Sequence, residues 1–228
     1  MPTKSMRRSL PVGLVVALKK RQRIAFFAEL MLQARIANKA YLELRARTGR
    51  ELPTTAEGIL EEAAEVWGLV QSFVHATAVM RSILSSGRVS KHSQGPDAGW
   101  SRGEELRVLL GVQLNSPLMD PVLRNDVAHV DERIDKWVAA GNGNAIESSV
   151  SLISPFGNLP PQSRASVLRW FDPKTLRLRM NDGGIYHELS LGAVNKDCQE
   201  IAEFARKYLG HPRLRHYKGN IRALAYDV

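Results

Sequence analysis

Leu123-Arg124-Asn125-Asp126-Val127-Ala128-His129-Val130-Asp131-Glu132-Arg133-Ile134-Asp135-Lys136-Trp137 is the stretch of this chain that decides its fold class. At ~100° per residue, Leu123, Val127, Val130, Ile134, Trp137 and Val138 fall on one apolar arc, which predicts an amphipathic helix facing a bundle core. Asp120 is placed to cap it, Pro121 to occupy its first position and Gly141 to end it. Met119, just before the cap, can pack back onto the first turn. Asn125, His129, Glu132, Arg133 and Lys136 form a polar stripe, and Arg124 lies off the apolar arc with Asp131 and Asp135. Neither Arg124 nor His129 is needed for packing, so both are available for chemistry.

An arginine, an asparagine and a histidine on one helix are groups that can cleave RNA by transesterification without a metal. A neutral imidazole can take the proton of a ribose 2′-hydroxyl or give one to the leaving 5′-oxygen, while a guanidinium holds the charged phosphorane. Asn125, one turn before His129, can fix the imidazole tautomer or the phosphate. With 22 arginines and 6 histidines in 228 residues, such a spacing arises about once or twice by chance, so helical placement matters more than spacing. Arg206 and His211 repeat it, but Leu209-Gly210-His211-Pro212 predicts a helix stop that takes His211 off the helix of Arg206. Glu132 and Lys136 also make an ordinary i,i+4 pair, which is how a purely solvated stripe is built.

The segment resembles the Arg-x-x-x-x-His signature of the HEPN superfamily, helical-bundle proteins that include many ribonucleases. Arg102-Gly103-Glu104-Glu105-Leu106-Arg107-Val108-Leu109-Leu110, Ser116-Pro117-Leu118 and Phe171-Asp172-Pro173-Lys174-Thr175-Leu176-Arg177-Leu178 are similar to a group of bacterial HEPN-like proteins, so the resemblance spans roughly residues 20 to 210. It implies Arg124, Asn125 and His129 as catalytic residues, no cofactor and no metal. It also implies a homodimer in which two motifs face one cleft, since a single histidine cannot serve as acid and base in one step. A toxin or defence role, with a neutralising protein partner, belongs to the same expectation. Where family members carry an aromatic two residues after the histidine, this chain has Asp131. HEPN-like members also include non-catalytic dimerisation and interaction proteins, which is the alternative function.

Composition fits one soluble domain that can bury a core unaided: 44% hydrophobic and 24% charged residues. Cys198, the single cysteine, excludes an intramolecular disulfide and a multi-cysteine zinc site, and points to packing in a reducing cytoplasm. The apolar run Leu10 to Leu18 is too short to span a bilayer and leads into Lys19-Lys20-Arg21-Gln22-Arg23 without a small-residue cleavage site, so neither membrane anchor nor signal peptide is expected. The net charge of +9 is unevenly spread: residues 1–55 carry 12 basic and 3 acidic groups, 56–205 carry 14 and 19, and 206–228 carry 6 and 1. Basic ends suit a polyanion, and Lys19, Lys20, Arg21, Arg23, Arg213, Arg215 and Lys218 are the candidate RNA contacts, with His216-Tyr217 adding an aromatic for stacking.

Elsewhere the pattern gives helices first and strands late. A long helix is expected over about 12–47, with Ile24, Phe27, Leu30, Met31, Ala34, Ala37 and Tyr41 on one face. Thr54-Thr55-Ala56-Glu57 resembles a capping box opening a second helix to about Leu84, with Leu60, Ala63, Trp67, Val70 and Val74 inward. A third helix starts near Ser101-Arg102. Gly141-Asn142-Gly143-Asn144 lacks the third glycine and the preceding strand of a dinucleotide loop and is taken as a turn. Strands are expected at Val150 to Ile153, Arg169 to Asp172, Thr175 to Met180 and Ile185 to Leu191, and a final helix at about Asn195 to Leu209. The expected fold is therefore mainly α: a HEPN-like helical bundle over about 10–140, a small antiparallel β-meander with the final helix over about 148–210, and a basic tail over 211–228, in one domain.

Overall fold

The computed structural model describes residues 18, 20–48, 50–51, 53–85, 102–120, 135, 139, 148–150, 167–182 and 185–210. They form helices α1 (Lys20–Arg47), α2 (Ala56–Leu84) and α3 (Arg102–Leu110), a 3-10 turn at Pro117–Met119, strands β1 (Ser148–Val150), β2 (Arg169–Asp172), β3 (Arg177–Asp182) and β4 (Ile185–Ser190), and helix α4 (Leu191–Gly210). The mainly α fold with a small sheet before the last helix is as expected.

α1 is described from Lys20, after a bend at Leu18, and the expected start near residue 12 lies outside the described residues. The buried Leu18 donates its N–H to Glu105 Oε2 at 2.8 Å. From there α1 buries Phe27, Leu30, Ala34, Ala37, Ala40 and Leu44 at i, i+3/i+4 spacing. Its last turn is tied to α2 by Arg47, which bridges Glu62 at 2.7 Å and Glu65.

Thr55 is the N-cap of α2, its Oγ1 accepting the Gly58 N–H at 3.1 Å. The expected box is thus displaced by one residue: the third helical position is Gly58, so no reciprocal carboxylate closes it. Leu60, expected inward, is 71% exposed. The buried residues of α2 are Val66, Val70, Phe73, Val74, Ala76, Thr77, Ala78, Met80, Ile83 and Leu84. At ~100° per residue, the arc through Val66, Val70, Phe73, Thr77 and Leu84 lies about 120° from Leu60. The expected stripe through Leu60, Ala63, Trp67, Val70 and Val74 is thus rotated from the buried face by about 70°.

α3 packs across the C-terminal end of α2 and supplies donors to its unpaired carbonyls. Arg102 Nη2 donates to Ser82 O at 3.2 Å and the buried Arg107 donates to Leu84 O. Two cations at a helix C-terminus also suit its dipole. The approach is close enough to require glycine at 103, where a Cβ would overlap the Ser85 carbonyl and sit 2.7 Å from Leu84 O. α3 itself ends at Gly111, φ +69°, with Val112 N–H bonding back to Arg107 O at 2.9 Å in the pattern of a left-handed glycine stop.

The sheet order is β1-β2-β3-β4. β2, β3 and β4 are the expected antiparallel meander, while β1 lies parallel to β2, with Ser148 opposite Arg169 and Val150 opposite Phe171. Phe171, Leu178 and Leu189 stand in one cross-strand row, all buried in the core that α1, α2 and α4 share. The alternate row is Trp170, Arg179 and Glu188, and Glu188 is gripped by both Arg177 and Arg179. Burial would raise the Glu188 carboxyl, but these two guanidinium groups outweigh it and hold its pKa below the ordinary value. Between β2 and β3, Asp172 accepts from Lys174 N at 2.9 Å and from Thr175 Oγ1 at 2.8 Å, and Leu176 takes φ 52°, a left-handed conformation a leucine adopts here because its side chain packs on the core.

α4 follows β4 without a loop, starting four residues before the expected Asn195. Ser190 Oγ accepts from Ala193 N at 3.4 Å, and Leu191 N–H is taken by Leu176 O at 3.0 Å. The helix lies along α1 through an edge-on contact of Phe27 and Tyr208, ring centroids 4.7 Å apart, and through Asn195 Nδ2 donating to Asn38 Oδ1 at 3.1 Å. Cys198 is fully buried in this seam, and burial pushes its thiol up to about 12. α4 is described as far as Gly210, so the stop expected over Leu209 to Pro212 reaches beyond the described residues, and Arg206 pairs with Glu203.

Candidate functional site

Two regions bear on function: the junction that leads into the Arg124 to His129 segment, and a cavity on the far side of α2. At the junction, the 3-10 turn Pro117–Met119 buries Leu118 and Met119. Asp197 of α4 accepts from Ser116 Oγ and, at 3.2 Å, from Leu118 N. Arg81 of α2 donates to Met119 O at 3.1 Å. The backbone is therefore fixed between α2 and α4 as far as Asp120. Arg124, Asn125 and His129 lie outside the described residues. Asp135 and Ala139, which do lie within them, are both helical and both exposed, and Asp135 was expected off the apolar arc.

Of the candidate RNA contacts, Lys19, Arg213, Arg215 and Lys218 also lie outside the described residues, and Lys20 opens α1. Arg21 is exposed on the first turn. Arg23 turns inward: its Nε and Nη2 reach Glu105 Oε1 at 3.0 and 2.9 Å, with the Glu105 side chain only 2% exposed. Burial would lower the Arg23 pKa, but its bonds to Glu105 and Tyr208 outweigh that and raise it. Its charge is thus neutralised inside the protein, in the same cluster that holds Leu18.

The cavity, of about 770 Å³, is bounded by α1, α2 and the sheet. α2 presents Gly68, Gln71, Ser72 and His75 to it at i, i+3, i+4 and i+7, with Trp67 beside them. α1 contributes Gln33 and Ile36, the latter 38% exposed. The sheet contributes Leu178 and Met180 as floor and Arg169 at one wall. The Arg169 guanidinium carbon stands 5.3 Å from the centroid of the Trp67 ring, a cation–π contact. Among the described lining residues, Arg169 is the one formal charge and there is no carboxylate. The volume lies within the usual range of small-molecule sites, about 300–1,000 Å³.

A partial signal for this cavity lies in α2. Trp67 was expected in the core and is half-buried at the cavity wall; Gly68, in the middle of a 29-residue helix, was the visible anomaly. Among the described residues no cluster of three or more His, Cys, Asp or Glu could hold a metal ion, and no helix is long and apolar enough to cross a membrane. No protein-family model, no curated protein and no solved structure matches this chain.

Proposed function

We propose that this protein binds and cleaves RNA without a metal, as a HEPN-type homodimer, with Arg124, Asn125 and His129 as the reacting constellation. The observation that supports it best is the anchoring of Ser116 to Met119 between α2 and α4, with Asp135 and Ala139 both helical beyond the motif. A motif launched from a pinned turn can be held rigidly enough for proton transfer. In the proposed reaction the 2′-oxygen bonds to phosphorus as the bond to the 5′-oxygen breaks. His129 of one protomer accepts the 2′-hydroxyl proton, His129 of the other protonates the leaving oxygen, and Arg124 carries the charge of the phosphorane. A neutralising protein partner and a cytoplasmic setting go with this proposal.

The test is a time course on mixed single-stranded RNA in EDTA, with wild type and His129→Ala side by side. Cleavage by the wild type alone, giving 2′,3′-cyclic phosphate ends, is expected. Arg124→Ala should be as severe and Asn125→Ala milder. Equal activity in wild type and His129→Ala, or complete dependence on added metal, refutes the mechanism. The inward pairing of Arg23 with Glu105 favours a second reading, a non-catalytic HEPN-like protein that uses the motif helix for dimerisation. In that case His129→Ala alters sedimentation and no nuclease activity is found in either protein.

A further inference from the structure

We infer that the cavity between α1, α2 and the sheet is a binding site for a small aromatic anion, a flat apolar ring system carrying one carboxylate. This is independent of the RNA reading, since it uses none of the motif residues.

Gly68 is the first observation. A glycine inside a helix weakens it relative to alanine. Crowding does not require the glycine, because a Cβ at 68 would meet nothing within 4 Å. The residue leaves a bare strip of α2 backbone as one wall of the cavity, next to the half-buried ring of Trp67. Leu178 and Met180 of β3 add apolar lining. A thin, flat, apolar body fits between such surfaces better than a branched one.

Charge is the second observation. Among the described lining residues Arg169 is the one formally charged group and none is a carboxylate. Its guanidinium lies over Trp67, where a ring stacked in the cavity would bring a carboxylate within reach of the planar fork of donors. Arg169 also interacts with a neighbour beyond Trp67. A guanidinium has five donors, so that engagement is compatible with receiving an anion. Gln71 and Ser72 in the lining add neutral hydrogen-bonding groups that can fix orientation without opposing the charge.

The test uses 2-naphthoate and its neutral counterpart 2-naphthamide as probes, titrated by calorimetry into the full chain. Saturable binding of one naphthoate per chain is expected, with the amide at least about 10-fold weaker, because hydrogen bonds to an ionised partner are the stronger ones. Arg169→Gln should remove that preference while leaving amide binding unchanged. Gly68→Leu should abolish binding of both probes by filling the cavity, and it should melt no lower than the wild type because it replaces a mid-helix glycine. Absence of saturable naphthoate binding overturns the inference, as does equal affinity for the two probes. So does a Gly68→Leu protein that binds as the wild type does, or whose only change is in sedimentation, which would mark the cavity as a contact between two copies of the chain.

Discussion

Replacing Glu105 by alanine should be among the most damaging single changes to this protein, although the residue sits on a short helix. Its side chain is 2% exposed and its two oxygens collect three donors: Leu18 N at 2.8 Å, Arg23 Nε at 3.0 Å and Arg23 Nη2 at 2.9 Å. Arg23, at 16% exposure, is itself largely withdrawn from water. Removing one partner of a buried pair leaves the other charged and unsolvated, at a cost of about 3–5 kcal/mol. That is a large share of the roughly 5–15 kcal/mol by which domains are stable. Glu105→Gln keeps an acceptor for Leu18 N–H but loses the charge, and should cost less, about 1.5–3 kcal/mol. The double variant Arg23→Met with Glu105→Leu replaces the pair by apolar groups and should recover most of the loss, leaving about 1–3 kcal/mol for the unpaired Leu18 N–H. Urea unfolding followed by helical circular dichroism, with slopes compared across the variants, measures each difference. If Glu105→Ala falls within 1 kcal/mol of the wild type, or the double variant is as unstable as the two single changes added together, the cluster does not hold α1 in the way described.

Two further outcomes follow from single residues. Gly103→Ala should cost at least about 3 kcal/mol, because its Cβ would meet the backbone of Ser85 and Leu84, whereas Gly68→Ala, in open space on the same kind of element, should stabilise by about 0.5–1 kcal/mol. Thermal melts of the pair separate the two cases, and similar shifts would contradict the packing of α3 on α2. Cys198, its thiol pushed up to about 12, should resist a disulfide exchange reagent at pH 8 until the chain unfolds. An unfolded thiol ionises near 8.5, so its contribution to stability is intact below that pH. It is lost as pH rises towards the folded value, by up to about 1.4 kcal/mol per pH unit. Urea midpoints at pH 8 and 10, compared with Cys198→Ala, should show a steeper fall for the wild type, and equal slopes would refute it.

The elements that were legible in the sequence are those whose signals are local. Thr54-Thr55 marks the start of α2 to within one residue, and the alternation Leu178, Met180 against Arg177, Arg179 marks a strand with one buried face. The errors arise where a distant residue decides. The bend at Leu18 is held by Glu105, 87 residues away, and no window around Leu18 contains that information. Leu60 lies on a helix apolar enough for two stripes to be drawn, and only the position of α1 selects between them. The parallel pairing of β1 with β2 joins segments separated by residues 151–168 and carries no turn signal. The polar motif expected from spacing and periodicity lies outside the described residues. The cavity could not be read from the sequence, because it is made by residues of three elements, of which only Gly68 departs from what its own element prefers.

The seam between the first and last helices has a consequence for how the chain comes into being. Asn38 waits for Asn195 and Ala34 for Gln199, partners 157 and 165 residues further on. At a translation rate of about 5–20 residues/s, the interval between the synthesis of these partners is about 8–33 s. Throughout it, Phe27, Leu30 and Ala34 have no α4 to cover them. Such a chain closes its core only after α4 has been made, so truncation within α4 should yield an aggregating product and not a smaller native protein, and a nascent chain stalled before residue 191 is a natural substrate for chaperones.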